Sequence, residues 1–111
     1  MTLPLHQVKA ELFRTLGHPV RIRVLELLLD GPKQVRELLA EIEVEPSNLS
    51  QQLAVLRRAD LVSSSREGTT VLYRLSTPDV AELMAAARRI LTSVLTNQET
   101  LLADLRAADR P

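Results

Sequence analysis

Residues 45–62 read EPSNLSQQLAVLRRADLV. Leu49, Leu53 and Leu56 stand four and three apart, which places them on one face of a helix. Pro46 suits the first helical position, where a missing N–H costs nothing. Around the first two leucines lie Ser47, Asn48, Ser50, Gln51 and Gln52, all small or polar. A helix buried on every side does not carry two adjacent glutamines, and a purely solvated one needs no leucine stripe. The helix therefore has an inner face held by leucines. Its outer face offers Ser47, Asn48, Gln51 and Gln52 to something else.

The flanks supply the context. Upstream, Leu5, Val8, Leu12, Phe13 and Leu16 recur at helical spacing, and Gly17 ends that helix. His18-Pro19 opens a second helix with Ile22, Leu25, Leu28 and Leu29 inward, stopped by Asp30-Gly31-Pro32. A short third helix turns Val35, Leu38, Leu39 and Ile42 inward, and Glu43-Val44-Glu45 is the turn into the quoted helix. Downstream the composition shifts to Val, Thr, Ser and Tyr around Glu67-Gly68. Val62–Arg66 and Thr69–Leu75 thus read as two strands of a hairpin. Thr77-Pro78-Asp79 is a helix start, and no breaker follows until about Ala107. Roughly 30 helical residues span about 45 Å, longer than the body they join.

Composition narrows the function classes. The chain has 111 residues, enough for one domain, and 2% aromatic residues, so its core is built from Leu, Val, Ile and Ala. It has no cysteine, which excludes disulfides, thiolate metal sites and thiol redox chemistry within the chain. No apolar run approaches ~18 residues, and the start MTLPLHQVKAELF lacks the form of a secretory signal. The expected location is the cytoplasm, with no membrane partner. Fourteen basic and fourteen acidic residues balance to zero net charge. That argues against strong non-specific polyanion binding and leaves room for a local basic edge. No nucleophile, glycine-rich phosphate loop or His-centred metal set is present, so an enzyme is not expected.

The expected architecture is mainly α with a small β-hairpin, in the order α-α-α-α-β-β-α: a winged helix-turn-helix. One domain covers 1–111, with a helix at 1–17, the winged core at 18–75 and a last helix at 76–111. The two terminal helices have apolar stripes that a body this small cannot cover. A two-fold homodimer through Leu5, Val8, Leu12, Leu83, Ile90, Leu91, Val94 and Leu101 is the economical solution. In such a fold the quoted helix enters the major groove of double-stranded DNA by its N-terminal residues. Asn and Gln can bond an adenine edge, and Ser can bond several edges. The expected DNA contacts are Ser47, Asn48, Ser50, Gln51 and Gln52, with Arg57 and Arg58 on phosphates and Arg66 and Thr69 at the hairpin tip. For Arg21 and Arg23, packing and salt bridging are expected rather than DNA contact.

From about Leu16 to Leu75 the sequence resembles the ArsR/SmtB family of bacterial winged-helix regulators. The resemblance is carried by LGHPVRIRVLELL, VRELLAEIEVEPSNLSQQLAVLRRADLV and SSSREGTTVLYRL, and the terminal helices match in kind. It implies a homodimer on an imperfect promoter palindrome, usually a repressor released by an inducer. Two positions depart from the family pattern: the acidic entry Glu43-Val44-Glu45-Pro46, and Gln52 where His is frequent. The family's cysteine sites are absent, and its last-helix metal site is missing its histidines, leaving Asp79, Glu82 and Glu99. His6, near the terminal amine and Glu11, and His18, at the first interhelical turn, remain as ligands for a divalent nickel or zinc ion. A small molecule, a co-regulator protein or no effector at all are the other options. The rival reading is a winged-helix dimer that serves as a protein-interaction module without specific DNA binding.

Overall fold

The computed structural model describes residues 3–108. Seven elements follow in order: α1 (Leu5–Leu16), α2 (Pro19–Leu28), α3 (Val35–Glu41), α4 (Pro46–Arg58), β1 (Val62–Glu67), β2 (Thr70–Leu75) and α5 (Pro78–Ala108). This is the expected winged helix-turn-helix order. Compactness divides the chain into two units after Ala81.

The first unit holds α1 to β2 and the start of α5. Its core is Leu16, Val24, Leu25, Leu28, Leu38, Ile42, Leu49, Leu53, Leu56, Leu61, Val62 and Val80. The α4 stripe is buried as its spacing predicts. The α2 stripe differs: Val24 is buried, Ile22 is half-buried and Leu29 is exposed. Helix α2 stops at Leu28 with Leu29 as its C-cap, so Leu29 lies beyond the last turn and leaves the inward face. In α3 only Leu38 is buried, joined by Ile42 just past the helix end, four residues on.

Local chemistry ends each helix where the packing needs it. The His18 ring caps α2, its Nδ1 accepting the Val20 backbone N–H at 3.2 Å, and Pro19 follows at the first position. Glu37 reaches back to the Gln34 backbone N–H at 2.9 Å and holds the entry of α3. At the end of α4, Asp60 takes a left-handed backbone, φ 59. There the Asp60 N–H bonds the Arg57 carbonyl and the Leu61 N–H bonds the Leu56 carbonyl, both at 3.0 Å. That 5→2 and 6→1 pair is a Schellman motif. It drops Leu61 and Val62 into the core and starts β1 at once.

The hairpin pairs Val62 with Leu75 through Glu67 with Thr70. Gly68 (φ 66) and Thr69 form the two-residue turn. Thr69 was expected to begin the second strand; it belongs to the turn instead, because Glu67 still pairs with Thr70. Positive φ at the first turn position is where glycine is favoured. The outer edge of β2 is also used: Lys33 N–H bonds the Tyr73 carbonyl at 2.9 Å and Tyr73 N–H bonds the Lys33 carbonyl at 2.8 Å. This bridge ties the wing to the segment that leads into α3.

The second unit is the helix from Glu82 to Ala108. Leu83 and Met84 are half-buried, whereas Ile90, Leu91, Val94, Leu95, Leu101, Leu102 and Leu105 are all exposed. In the first unit, Leu5, Val8 and Phe13 of α1 are exposed as well, and Leu12 is half-buried. Among the described residues no helix is long and apolar enough to cross a membrane.

Candidate nucleic-acid interface

Helix α4 has two faces because its leucines commit one of them. Leu49, Leu53 and Leu56 are sealed in the core. Opposite them Ser47, Ser50, Gln51, Ala54, Arg57 and Arg58 are exposed, three and four apart, and Asn48 is half-buried at the edge of that face. The N-terminal turn offers short hydroxyls and amides. The C-terminal turn offers two guanidinium groups.

Gln52 departs from expectation. It is 9% exposed and is the one buried polar side chain among the described residues. Arg21 Nε donates to its Oε1 at 2.7 Å, and its Nε2 donates to Asn48 Oδ1 at 2.9 Å. The sequence signal was there. Positions 49, 52, 53 and 56 are the i, i+3, i+4, i+7 pattern of a single face, so Gln52 falls inside the leucine stripe. Its polarity drew it to the outer face by type; its position puts it inward. Arg21 is the missed partner, 31 residues away in the chain, beyond the reach of any local pattern. It packs as expected but pairs with an amide rather than a carboxylate.

The arginines form a basic edge despite the zero net charge. Ion pairs among the described residues are Arg14 with Glu11 and Arg74 with Glu67. Arg57, Arg58 and Arg66 are in neither. Arg57 Nη1 donates to Ser64 Oγ at 3.4 Å, a long bond that links the end of α4 to the wing. A pocket of about 250 Å³ lies there, lined by Ser50, Leu53, Ala54, Arg57, Arg58 and Tyr73. Arg66 and Thr69 are exposed at the hairpin end. Glu43 and Glu45 are exposed just ahead of α4, and Glu45 is its N-cap without a side-chain bond. The acidic entry therefore sits beside the free N–H groups of the helix.

The histidines are not brought into a metal set. His18 spends Nδ1 on the α2 cap, and His6 is exposed on α1. Among the described residues no three His, Asp or Glu side chains are grouped to hold a metal ion.

A chain of this geometry has known relatives. Residues 18–64 match the family described as bacterial regulatory protein, arsR family. The HTH-type transcriptional regulator Rv0081 of Mycobacterium tuberculosis is 51% identical over 105 residues, covering 94% of this chain and 92% of the relative. The Rv0081 crystal structure superposes with a TM-score of 0.81 at 50% identity, over 87% of this chain and 98% of that one. The biofilm growth-associated repressor of Agrobacterium fabrum is 40% identical over 77 residues, 69% of this chain and 66% of the relative. A homodimeric winged helix-turn-helix DNA-binding domain, Mb0332 of Mycobacterium bovis, matches at a TM-score of 0.74 and 30% identity, over 84% and 85% of the two chains. Architecture and relatives agree: this chain belongs to the arsR family of bacterial regulatory proteins and is a DNA-binding transcriptional regulator of winged helix-turn-helix fold.

Proposed function

We propose that the chain acts as a homodimeric repressor that binds a palindromic promoter site, each copy placing one α4 in the major groove. The observation that carries this reading is the single exposed face of α4. Ser47, Asn48, Ser50 and Gln51 lead into Arg57 and Arg58, and among the described residues no carboxylate of the same chain pairs with the two arginines. Hydroxyls and amides there meet base edges, and the guanidiniums meet phosphates. Arg66 and Thr69 on the wing reach the neighbouring backbone. Repression is supported by the likeness to a biofilm growth-associated repressor, and the homodimer by the likeness to a homodimeric DNA-binding domain. The uncovered stripes of α1 and of α5 each give a second copy an apolar surface to bury.

A signal is expected to release the repressor. Among the described residues one chain groups no three donors, so a nickel or zinc site is read as one shared between chains. Such a site draws on His6 and carboxylates across the dimer. A small molecule or a partner protein is the alternative signal, and no catalytic step is assigned to the chain. Titration calorimetry with Ni²⁺ and Zn²⁺ separates these: a metal-regulated dimer binds with defined stoichiometry, and His6→Ala abolishes that binding.

Against the protein-interaction reading stands the polarity of the α4 face, whose exposed Ser and Gln residues fit base edges better than an apolar partner. The deciding experiment is a mobility shift with the protein's own upstream DNA at two salt concentrations. Regulation requires tighter binding to one upstream fragment than to random duplex, and a salt slope reporting phosphate contacts. Equal affinity for every fragment means the dimer does not read DNA.

A further inference from the structure

Gln52, Arg21 and Asn48 form a connected chain whose direction is fixed by chemistry. Arginine Nε is only a donor, so the Gln52 atom 2.7 Å from Arg21 is the carbonyl Oε1. The other end, Nε2, is only a donor. What it meets at 2.9 Å on Asn48 is therefore Oδ1. Arg21 cannot easily turn away, because its Nη1 donates to the Thr15 carbonyl at 3.0 Å. That carbonyl is among the last four of α1, which lack partners within the helix. Gln52 is buried, so rotating its amide would set its Nε2 donor against the Arg21 Nε donor and break the pair.

We propose that Gln52 is a positioning residue that sets which base edge Asn48 reads. The clamp holds Asn48 Oδ1 against the protein and leaves Nδ2, with its two N–H groups, turned to the groove. Asparagine reads adenine by using both amide ends, one accepting and one donating. Guanine presents two acceptors, O6 and N7, to the same groove. With one lone pair of Oδ1 spent on Gln52 and both N–H groups of Nδ2 free, an Asn48 held in this way favours guanine over the adenine expected from its residue type. The inference rests on the proposal that the outer face of α4 meets DNA.

Gln52→Glu is the sharpest test. Its carboxylate still accepts from Arg21, but its second oxygen accepts as well. Asn48 must then turn over, donating Nδ2 inward and presenting Oδ1 outward to the exocyclic amine of cytosine or adenine. Selection from a randomised duplex library reads this directly. The wild-type dimer is expected to favour guanine about tenfold or more at one position per half-site, identified as the position whose preference Asn48→Ala removes. Gln52→Glu is expected to move that position alone to cytosine or adenine, and the near-isosteric Gln52→Met to level it. Retention of guanine by a folded Gln52→Glu overturns the proposal. If the wild type selects no sequence, the DNA reading of the face has failed instead, and the clamp is then judged in the free protein by NMR. A scalar coupling through the hydrogen bond from Gln52 Nε2 to the Asn48 carboxamide is expected there. Its absence overturns the clamp whatever the DNA result and whether or not the variant folds.

Discussion

Helices α4 and α5 carry similar leucine patterns and live in opposite surroundings. In α4, Leu49, Leu53 and Leu56 are 0–2% exposed. In α5, Ile90, Leu91 and Leu95 are 57–63% exposed. Periodicity shows which side of a helix is apolar; it is silent on what covers that side. The short α4 is enclosed by α2, β1 and their neighbours, so its stripe is core and its polar face is exposed. In α5 the stripe from Ile90 to Leu105 is exposed, an apolar surface that nothing in the single chain covers among the described residues. On the proposed reading, the two helices divide the labour of a DNA-binding dimer between recognition and association.

The largest effect expected is on the α4 side. Leu49→Ala deletes a fully buried side chain, and we predict a loss of about 2–5 kcal/mol of folding stability, measured by chemical denaturation. The matched change Leu91→Ala is predicted to leave single-chain stability within about 0.5 kcal/mol. Similar losses at both sites would erase the contrast.

Next in size is association. Leu91→Glu combined with Leu95→Glu places charge on an apolar surface where each side chain is worth about 1.5–3 kcal/mol when buried. Sedimentation equilibrium is predicted to show a monomer at concentrations where the wild type is a dimer. A dimer of unchanged affinity would mean that another surface pairs the chains.

Two neighbours then test the division within α4. Gln51→Ala is predicted to weaken specific DNA binding by about 1–3 kcal/mol while thermal stability holds. Gln52→Ala leaves the Arg21 Nε donor without its partner, and the cost of about 1–3 kcal/mol is expected to appear in folding stability as well. Were the two substitutions to behave alike in both assays, Gln52 would not be the inward residue described.

The smallest effect concerns the acidic entry. Glu45→Gln removes a charge at the end of α4 proposed to approach DNA, and we predict tighter binding by up to about 1 kcal/mol at low salt. Glu99→Gln on α5, a change of equal charge, is expected to do nothing to DNA affinity. Anisotropy titrations of both variants make the comparison.

Much of this was legible from residue order. Pro46, the 49/53/56 stripe and Thr77-Pro78-Asp79 each name a local structure by its own chemistry and stand where expected, whereas the hairpin turn falls one residue later than Glu67-Gly68, at Gly68-Thr69. What escaped were relations between distant segments. The Lys33–Tyr73 bridge joins residues 40 positions apart by backbone groups alone, which leave no mark on side-chain pattern. Arg21 reaches Gln52 across 31 positions. Leu29 lost its inward place because α2 ends one residue sooner than its stripe implied. The candidate readers followed the same rule: Ser47, Ser50 and Gln51 are outward by spacing, and Gln52 was misplaced when residue type outweighed spacing.

The central claim is that the outer face of α4 reads promoter DNA. Fluorescence anisotropy on the upstream fragment and on random duplex, for the wild type and Gln51→Ala, tests it most directly. The account predicts wild-type preference for the upstream fragment, reduced about tenfold or more by Gln51→Ala with random-DNA binding unchanged. A wild type that binds both duplexes equally, or a Gln51→Ala dimer that keeps the full preference, would contradict it.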